Sequence, residues 1–191
     1  MKYLLLTLVL SVITFGKSQE LNCQAKNAQY VGVHFGPTTG MGVSYRLFKN
    51  KTGFQATALG YKHATYIDFN TGLSLIHKLV SKKNVDFISY LGSRFTYKEE
   101  KVLSLTSDNE DIIIKTLQEW RINTSLGLGL QLRIFNHLEF SFQVGYALFN
   151  ANGQRTLIKN NKFQRFIDHP GNPWTMVTGE IGLYYKINRQ K

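Results

Sequence analysis

From Trp120 to Ile134 the chain alternates without a slip. Trp120, Ile122, Thr124, Leu126, Leu128, Leu130, Leu132 and Ile134 share one parity, and Arg121, Asn123, Ser125, Gly127, Gly129, Gln131 and Arg133 the other. A period of two is the signature of a strand, because successive side chains point to opposite faces. Leu138, Phe140, Phe142, Val144, Tyr146 and Leu148 repeat the pattern against Glu139, Ser141, Gln143, Gly145 and Ala147. Only Phe135 to His137 remain to turn between the two segments.

The same period runs along the rest of the chain. Val31, Val33 and Phe35 alternate with Gly32, His34 and Gly36, and after a Pro37 to Gly40 turn, Met41, Val43, Tyr45 and Leu47 alternate with Gly42, Ser44 and Arg46. Asn50 to Gly53 turns the chain into its weakest strand, Phe54 to Tyr61. A fourth strand covers Phe69 to Leu79. After Ser81 to Asn84, a fifth sets Phe87, Ser89, Leu91, Ser93, Phe95 and Tyr97 against Ile88, Tyr90, Gly92, Arg94 and Thr96. Val177, Ile181, Leu183, Tyr185 and Ile187 finish the pattern opposite Thr178, Glu180, Gly182, Tyr184 and Lys186.

Alternation alone also fits a soluble sandwich or a lipocalin-like carrier, so strand length and the character of each face decide. The clearest strands exceed the roughly 5 to 6 residues usual in soluble sheets and the 9 to 11 that cross a bilayer at a tilt. Their second face holds glycine, glutamine, arginine and glutamate, which cannot form a dry core. A small barrel could not pack the aliphatic face of every strand inside it. The expected fold is therefore all-β, a closed antiparallel transmembrane β-barrel of about eight strands over residues 29–188. No later apolar run reaches the roughly 18 residues of a spanning helix.

Connection lengths agree. Such barrels have short turns on one side of the membrane and longer loops on the other. The second, fourth and sixth connections, Asn50 to Gly53, Ser81 to Asn84 and Phe135 to His137, are short. The long ones, roughly Lys98 to Gln118 and Ala151 to Asn172, are the fifth and seventh. The first, Pro37 to Gly40, reads as a short outer loop.

The N-terminus adds an address. Met-Lys-Tyr, an apolar run from Leu4 to Phe15, and Gly16 and Ser18 at the minus-three and minus-one positions read as a signal peptide over residues 1–18, cleaved before Gln19. Residues 19–28 form a short N-terminal segment and 189–191 a tail. Cleavage removes Lys2 and Lys17 from a formal net charge of +11 and leaves +9. An exported chain meets lipid phosphates before nucleic acid, so the basic balance points to outer-membrane lipids and not to nucleic acid. Cys23 is the single cysteine, which excludes an internal disulfide.

On these residues the sequence resembles the small outer-membrane β-barrel superfamily, the opacity-like and OmpA-like transmembrane domains. The most specific element is Glu180-x-Gly182-x-x-Tyr185-x-Ile187, which looks like the insertion signal read by the barrel-assembly machinery. Asn188 to Lys191 follow it, whereas many members end on the aromatic residue. The resemblance implies residence in the bacterial outer membrane and names no activity.

Candidate chemistry lies mainly on the inward face. Arg46, Asp86, Arg94, Arg121, Arg133, Glu139, Glu180 and Lys186 are expected to form an ion-pair network filling a narrow lumen, with Arg133 opposite Glu139 across the Asn136 turn. A basic outer loop carries Arg155, Lys159, Lys162 and Arg165. The fifth connection, acidic at Glu99, Glu100, Asp108, Glu110 and Asp111, reads as an extended hairpin without the ligand spacing of a calcium loop. Some barrels of this kind modify lipid acyl chains with a His and Ser pair, and His34 and Ser44 both point inward on neighbouring strands. They are not directly opposite, and no acid partner is fixed by sequence. The expected function is a non-enzymatic barrel serving envelope structure or surface interaction, without metal or cofactor, with an acyl-chain enzyme as the alternative.

Overall fold

The computed structural model describes residues 27–105, 112–135, 137–160, 163–170 and 177–187, with residues 103–105, 112–114, 158–160 and 163–170 described as backbone. The expected signal peptide, most of the N-terminal segment, Asn188 and the tail lie outside the described residues.

The described elements are all strands: β1 Ala28–Gly36, β2 Gly40–Lys49, β3 Thr52–His63, β4 Tyr66–Ser81, β5 Val85–Leu105, β6 Ile112–Phe135, β7 Leu138–Asn160, β8 Phe163–Pro170 and β9 Val177–Lys186. Each pairs antiparallel with its neighbour from β1 through β7; β9 then pairs with β7 on one side and β1 on the other. The ring is thereby closed by eight strands, and no free edge remains along it. The ninth, β8, returns along the distal half of β7, from Gly153↔Pro170 to Asn160↔Phe163.

The faces divide as the alternation requires. Arg46, Gln131, Glu139, Gln143 and Glu180 are buried, whereas Leu126, Leu128, Leu130 and Leu132 are each about 40% exposed on the outside. Around the ring, Val33, Val43, Phe54, Leu73, Leu91, Val144 and Leu183 continue this exposed apolar surface. The interior also encloses Tyr30, Phe48, Ile76 and Ile88, but its charged and amide side chains, set against an apolar exterior, are the inverse of a soluble protein. Aromatics border the band. Phe69, Tyr97 and Trp120 are successive ladder partners at the upper end, and Phe54, Phe87, Phe135 and Tyr185 lie near the lower turns. From Ile122 to Leu132 a tilted strand rises about 25 Å, the height of an outer-membrane apolar band.

Two sequence expectations need correction. The seventh connection is not simply a loop, since β7 continues to Asn160 and pairs there with both β6 and β8. Backbone ladders on both sides order a polar stretch that has no alternation of its own. The first connection is not an outer loop either, because Thr38 and Thr39 are completely buried inside the ring. The fifth connection is an extended hairpin, with β5 and β6 paired from Val85↔Leu132 to Leu105↔Ile112. Together β5, β6, β7 and β8 form a sheet standing above the upper aromatics.

Candidate functional site

The lumen is filled from the top by the tip of the β1–β2 hairpin. Gly36 and Gly40 are the last ladder pair, and Gly40 takes φ 96, a left-handed conformation that suits glycine. The Pro37 to Thr39 turn then folds into the ring. Space for it comes from glycines on the opposite wall: a Cβ at Gly72 would lie 2.1 Å from the Thr39 carbonyl oxygen, and one at Gly92 would lie 2.4 Å from Thr39 Cγ2.

Polar groups from several strands hold the tip. Glu180 of β9 accepts hydrogen bonds from the Thr38 amide (3.3 Å) and from the hydroxyls of Thr38 and Thr39. The Thr38 hydroxyl also meets Ser125 Oγ at 2.5 Å. Arg94 Nη1 donates to the Gly36 carbonyl (3.4 Å) and Asn123 Nδ2 to the Pro37 carbonyl (2.9 Å). The Met41 amide donates to Asn70 Oδ1 at 3.3 Å. A turn buried this way must have its backbone groups satisfied, and β4, β5, β6 and β9 each contribute a partner.

Below the tip, His34 joins it to the middle of the lumen. Its Nε2 lies 2.5 Å from Thr39 Oγ1 and 3.4 Å from Glu180 Oε2, and its Nδ1 lies 2.9 Å from the Tyr184 hydroxyl. That hydroxyl also donates to Gln55 Oε1 (3.2 Å). Arg46 stacks over the Tyr184 ring at 3.5 Å and donates to Gln55 Oε1 (2.6 Å), Ser141 Oγ (3.2 Å) and Glu139 Oε1 (3.4 Å). At the lower end Asp86 pairs with Lys78 (2.7 Å) and Arg133 (2.5 Å). Arg133 also donates to the carbonyls of Lys82 and Lys83 in the β4–β5 turn. Three centres therefore occupy successive levels of a narrow interior.

No family model matches the sequence, and a search of curated proteins finds no match. Solved structures do match. The chain is similar to a major outer membrane protein from Thermus thermophilus, with a TM-score of 0.51 and 13% identity over 85% of this chain and 100% of that one. It also aligns with the N-terminal β-barrel domain of Pseudomonas aeruginosa OprF, with a TM-score of 0.45 and 11% identity over 86% of this chain and 100% of that one. The fold is that of a small outer-membrane β-barrel.

Within this barrel the expected lumen residues separate. Arg46 with Glu139, and Asp86 with Arg133, are ion pairs. Arg133 and Glu139 are ladder partners as expected, but each pairs elsewhere: Arg133 with Asp86 on its other neighbouring strand, β5, and Glu139 with Arg46, which reaches it from across the interior. Arg94 and Glu180 both serve the hairpin tip and do not meet as a salt bridge. Arg121 is not part of a buried network: one residue below Trp120 on β6, at the upper mouth, its side chain is exposed and binds Glu119 of its own strand. Lys186 stands half-buried at the lower rim and has no ion-pair partner among the described residues.

The residues of the expected insertion signal divide by face. Glu180 and Gly182 point inward, with Gly182 leaving space for His34 and the Tyr184 ring, while Tyr185 and Ile187 face outward and exposed. In the basic outer stretch Arg155 is exposed, Lys159 and Arg165 belong to backbone-only strand segments, and Lys162 lies outside the described residues. Asp108, Glu110 and Asp111 lie outside them too. Tyr66, in the upper β3–β4 hairpin, donates to Asp68 Oδ2 (2.9 Å), and that bond holds its phenol above its ordinary pKa.

His34 and Ser44 do not form a pair. Ser44 faces Gly32 in the ladder, and its hydroxyl meets Thr57 Oγ1 (3.0 Å) and the Ala56 carbonyl (3.3 Å). The residues that sequence reasoning missed are Thr38, Thr39, Gln55, Lys78 and Tyr184. Gly72 and Gly92, inward glycines at one level of the wall, were the available signal for the buried tip.

Proposed function

We propose that the chain is a non-enzymatic outer-membrane barrel with a closed lumen, serving envelope structure or presenting its upper sheet to a partner. In this reading a signal peptide over residues 1–18 exports it, and the barrel-assembly machinery reads Glu180, Gly182, Tyr185 and Ile187 during insertion. The lower turns face the periplasm and the β5–β8 sheet stands outside the cell. The observation that carries the reading is the inverted division of faces around a closed ring. A soluble monomer rarely exposes a contiguous apolar patch beyond a few hundred Å², and here the exposed apolar band encircles the molecule.

The chain should fractionate with outer membranes and migrate differently on a denaturing gel before and after heating. Recovery as a soluble periplasmic monomer would sink the reading. Acyl-chain catalysis has less support: His34, Thr39, Ser44 and Glu180 are fully buried, and the hairpin tip covers them from above. His34→Ala and Ser44→Ala should each leave the envelope lipid profile unchanged by mass spectrometry, and loss of one defined lipid product in both would establish an enzyme instead.

A further inference from the structure

Acidic and basic side chains are unevenly distributed along the barrel axis. At the lower end Lys49, Lys51, Lys82 and Lys83 are exposed and Lys186 is half-exposed, and none has an ion-pair partner among the described residues. The acids described at that end are Asp86 and Glu139, both inside the lumen and already paired to Lys78, Arg133 and Arg46. No exposed acid stands near these lysines among the described residues. At the upper end cations alternate with acids: Lys98 pairs with Asp68 and Arg121 with Glu119, while Glu99 binds Tyr97 and Gln118.

The lysines also sit at a definite depth. Lys49 follows the lipid-facing Leu47 by two residues, and Lys51 occupies the adjoining turn. Lys82 and Lys83 form the next lower turn, just beyond Val80 and Phe87. Two residues of strand span about 7 Å, which places the ammonium groups at the level of lipid headgroups while the aliphatic stems lie along the apolar band. The two turns are neighbours on the rim: the Lys51 carbonyl of the first accepts from the Lys78 amide of β4 (2.8 Å), the strand that runs into the second, so their charges form one arc. Arg133 binds the carbonyls of Lys82 and Lys83 and leaves their side chains outside.

We infer that this lower arc binds anionic phospholipid headgroups of the adjoining leaflet and so fixes the depth of the barrel. The inference rests on the membrane reading above. Each lysine that meets an anionic headgroup is expected to contribute about fivefold in lipid preference, and the effect should weaken with salt.

The full chain, reconstituted in phosphatidylcholine vesicles containing one part in four phosphatidylglycerol, tests it. Heat-dependent gel migration reports insertion, and native mass spectrometry reports which lipids stay bound. Wild type should insert and retain phosphatidylglycerol severalfold over its share of the mixture. Lys49→Gln/Lys51→Gln/Lys82→Gln/Lys83→Gln should insert equally and lose that enrichment, whereas Lys62→Gln/Lys101→Gln/Lys115→Gln at the upper end should keep it. Insertion without enrichment, or enrichment that survives the four lower substitutions, overturns the inference and leaves the membrane reading intact. Failure of wild type to insert overturns both. Loss of binding to purified peptidoglycan in the lower variant, with lipid retention unchanged, would assign the arc to an acidic polymer and overturn the lipid proposal.

Discussion

The carbonyl oxygen of Thr39 occupies the space that a Cβ on Gly72 would take, 2.1 Å from that ideal position. Backbone meets backbone here, so no side-chain rotation relieves the contact, and Gly72→Ala must move either the hairpin tip or strand β4. We expect it to lower stability by about 1 to 3 kcal/mol, the usual cost of overpacking. Gly179, with nothing within 4 Å of its ideal Cβ, is the comparison. Gly179→Ala should cost little, because alanine suits a strand no worse than glycine. Equal urea midpoints for the two variants in detergent would show that the tip does not sit against Gly72.

Glu180 gathers the tip's donors, so its removal should release the hairpin. Glu180→Ala leaves the Thr38 amide and the two threonine hydroxyls short of their acceptor, whereas Glu180→Gln keeps an acceptor oxygen in place. Each buried group left unsatisfied costs about 1 to 3 kcal/mol. Wild type and Glu180→Gln should be electrically silent in planar bilayers, and Glu180→Ala should show ion conductance and faster amide exchange at Thr38 and Thr39. Silence of Glu180→Ala, with exchange unchanged, would mean that the wall residues hold the tip without it.

The sequence made the barrel legible because a period of two, sustained through β6 and the first half of β7, reports on each residue's own strand and face. It could not report which inward groups meet. Arg133 and Glu139 are ladder partners as their symmetry about the turn required, yet Arg133 turns to Asp86 on its other neighbour, β5, and a narrow lumen brings Arg46 of the distant β2 to Glu139. The buried tip was illegible for a related reason. Pro37 to Gly40 has the composition of any exposed turn, and only the inward glycines of strands far away in sequence reveal that space was kept for it. Pairing in β8 was also hidden, since its order comes from a ladder with β7 and not from alternation.

The two faces of β6 should respond in opposite ways to a cation. Leu128 is 42% exposed in the middle of the apolar band, and Arg at the lipid midplane costs about 2 to 4 kcal/mol. Gln131 is buried in the lumen, with Asp86 directly across the ladder and its Oδ1 without a hydrogen-bond partner. Leu128→Arg should therefore shift a folding titration in lipid vesicles well beyond Gln131→Arg. Equal shifts, or the reverse order, would mean that the apolar face does not meet lipid.

The Arg46–Glu139 pair makes the sharpest test of the interior. Arg46 is completely buried, and its guanidinium is shared among Gln55, Ser141 and Glu139 over the Tyr184 ring. Glu139 keeps one oxygen, Oε2, without a hydrogen-bond partner, so Arg46 is its main electrostatic support. Removing one member of a buried pair leaves an uncompensated charge and costs about 3 to 5 kcal/mol, whereas removing both lifts that penalty. Arg46→Met should therefore be severely destabilising, and adding Glu139→Gln should restore a large part of the loss. A double-mutant cycle by urea unfolding in detergent reads the coupling. If the two costs simply add, Glu139 is not held by Arg46, and the middle of the lumen is organised around Gln55 and Tyr184 alone.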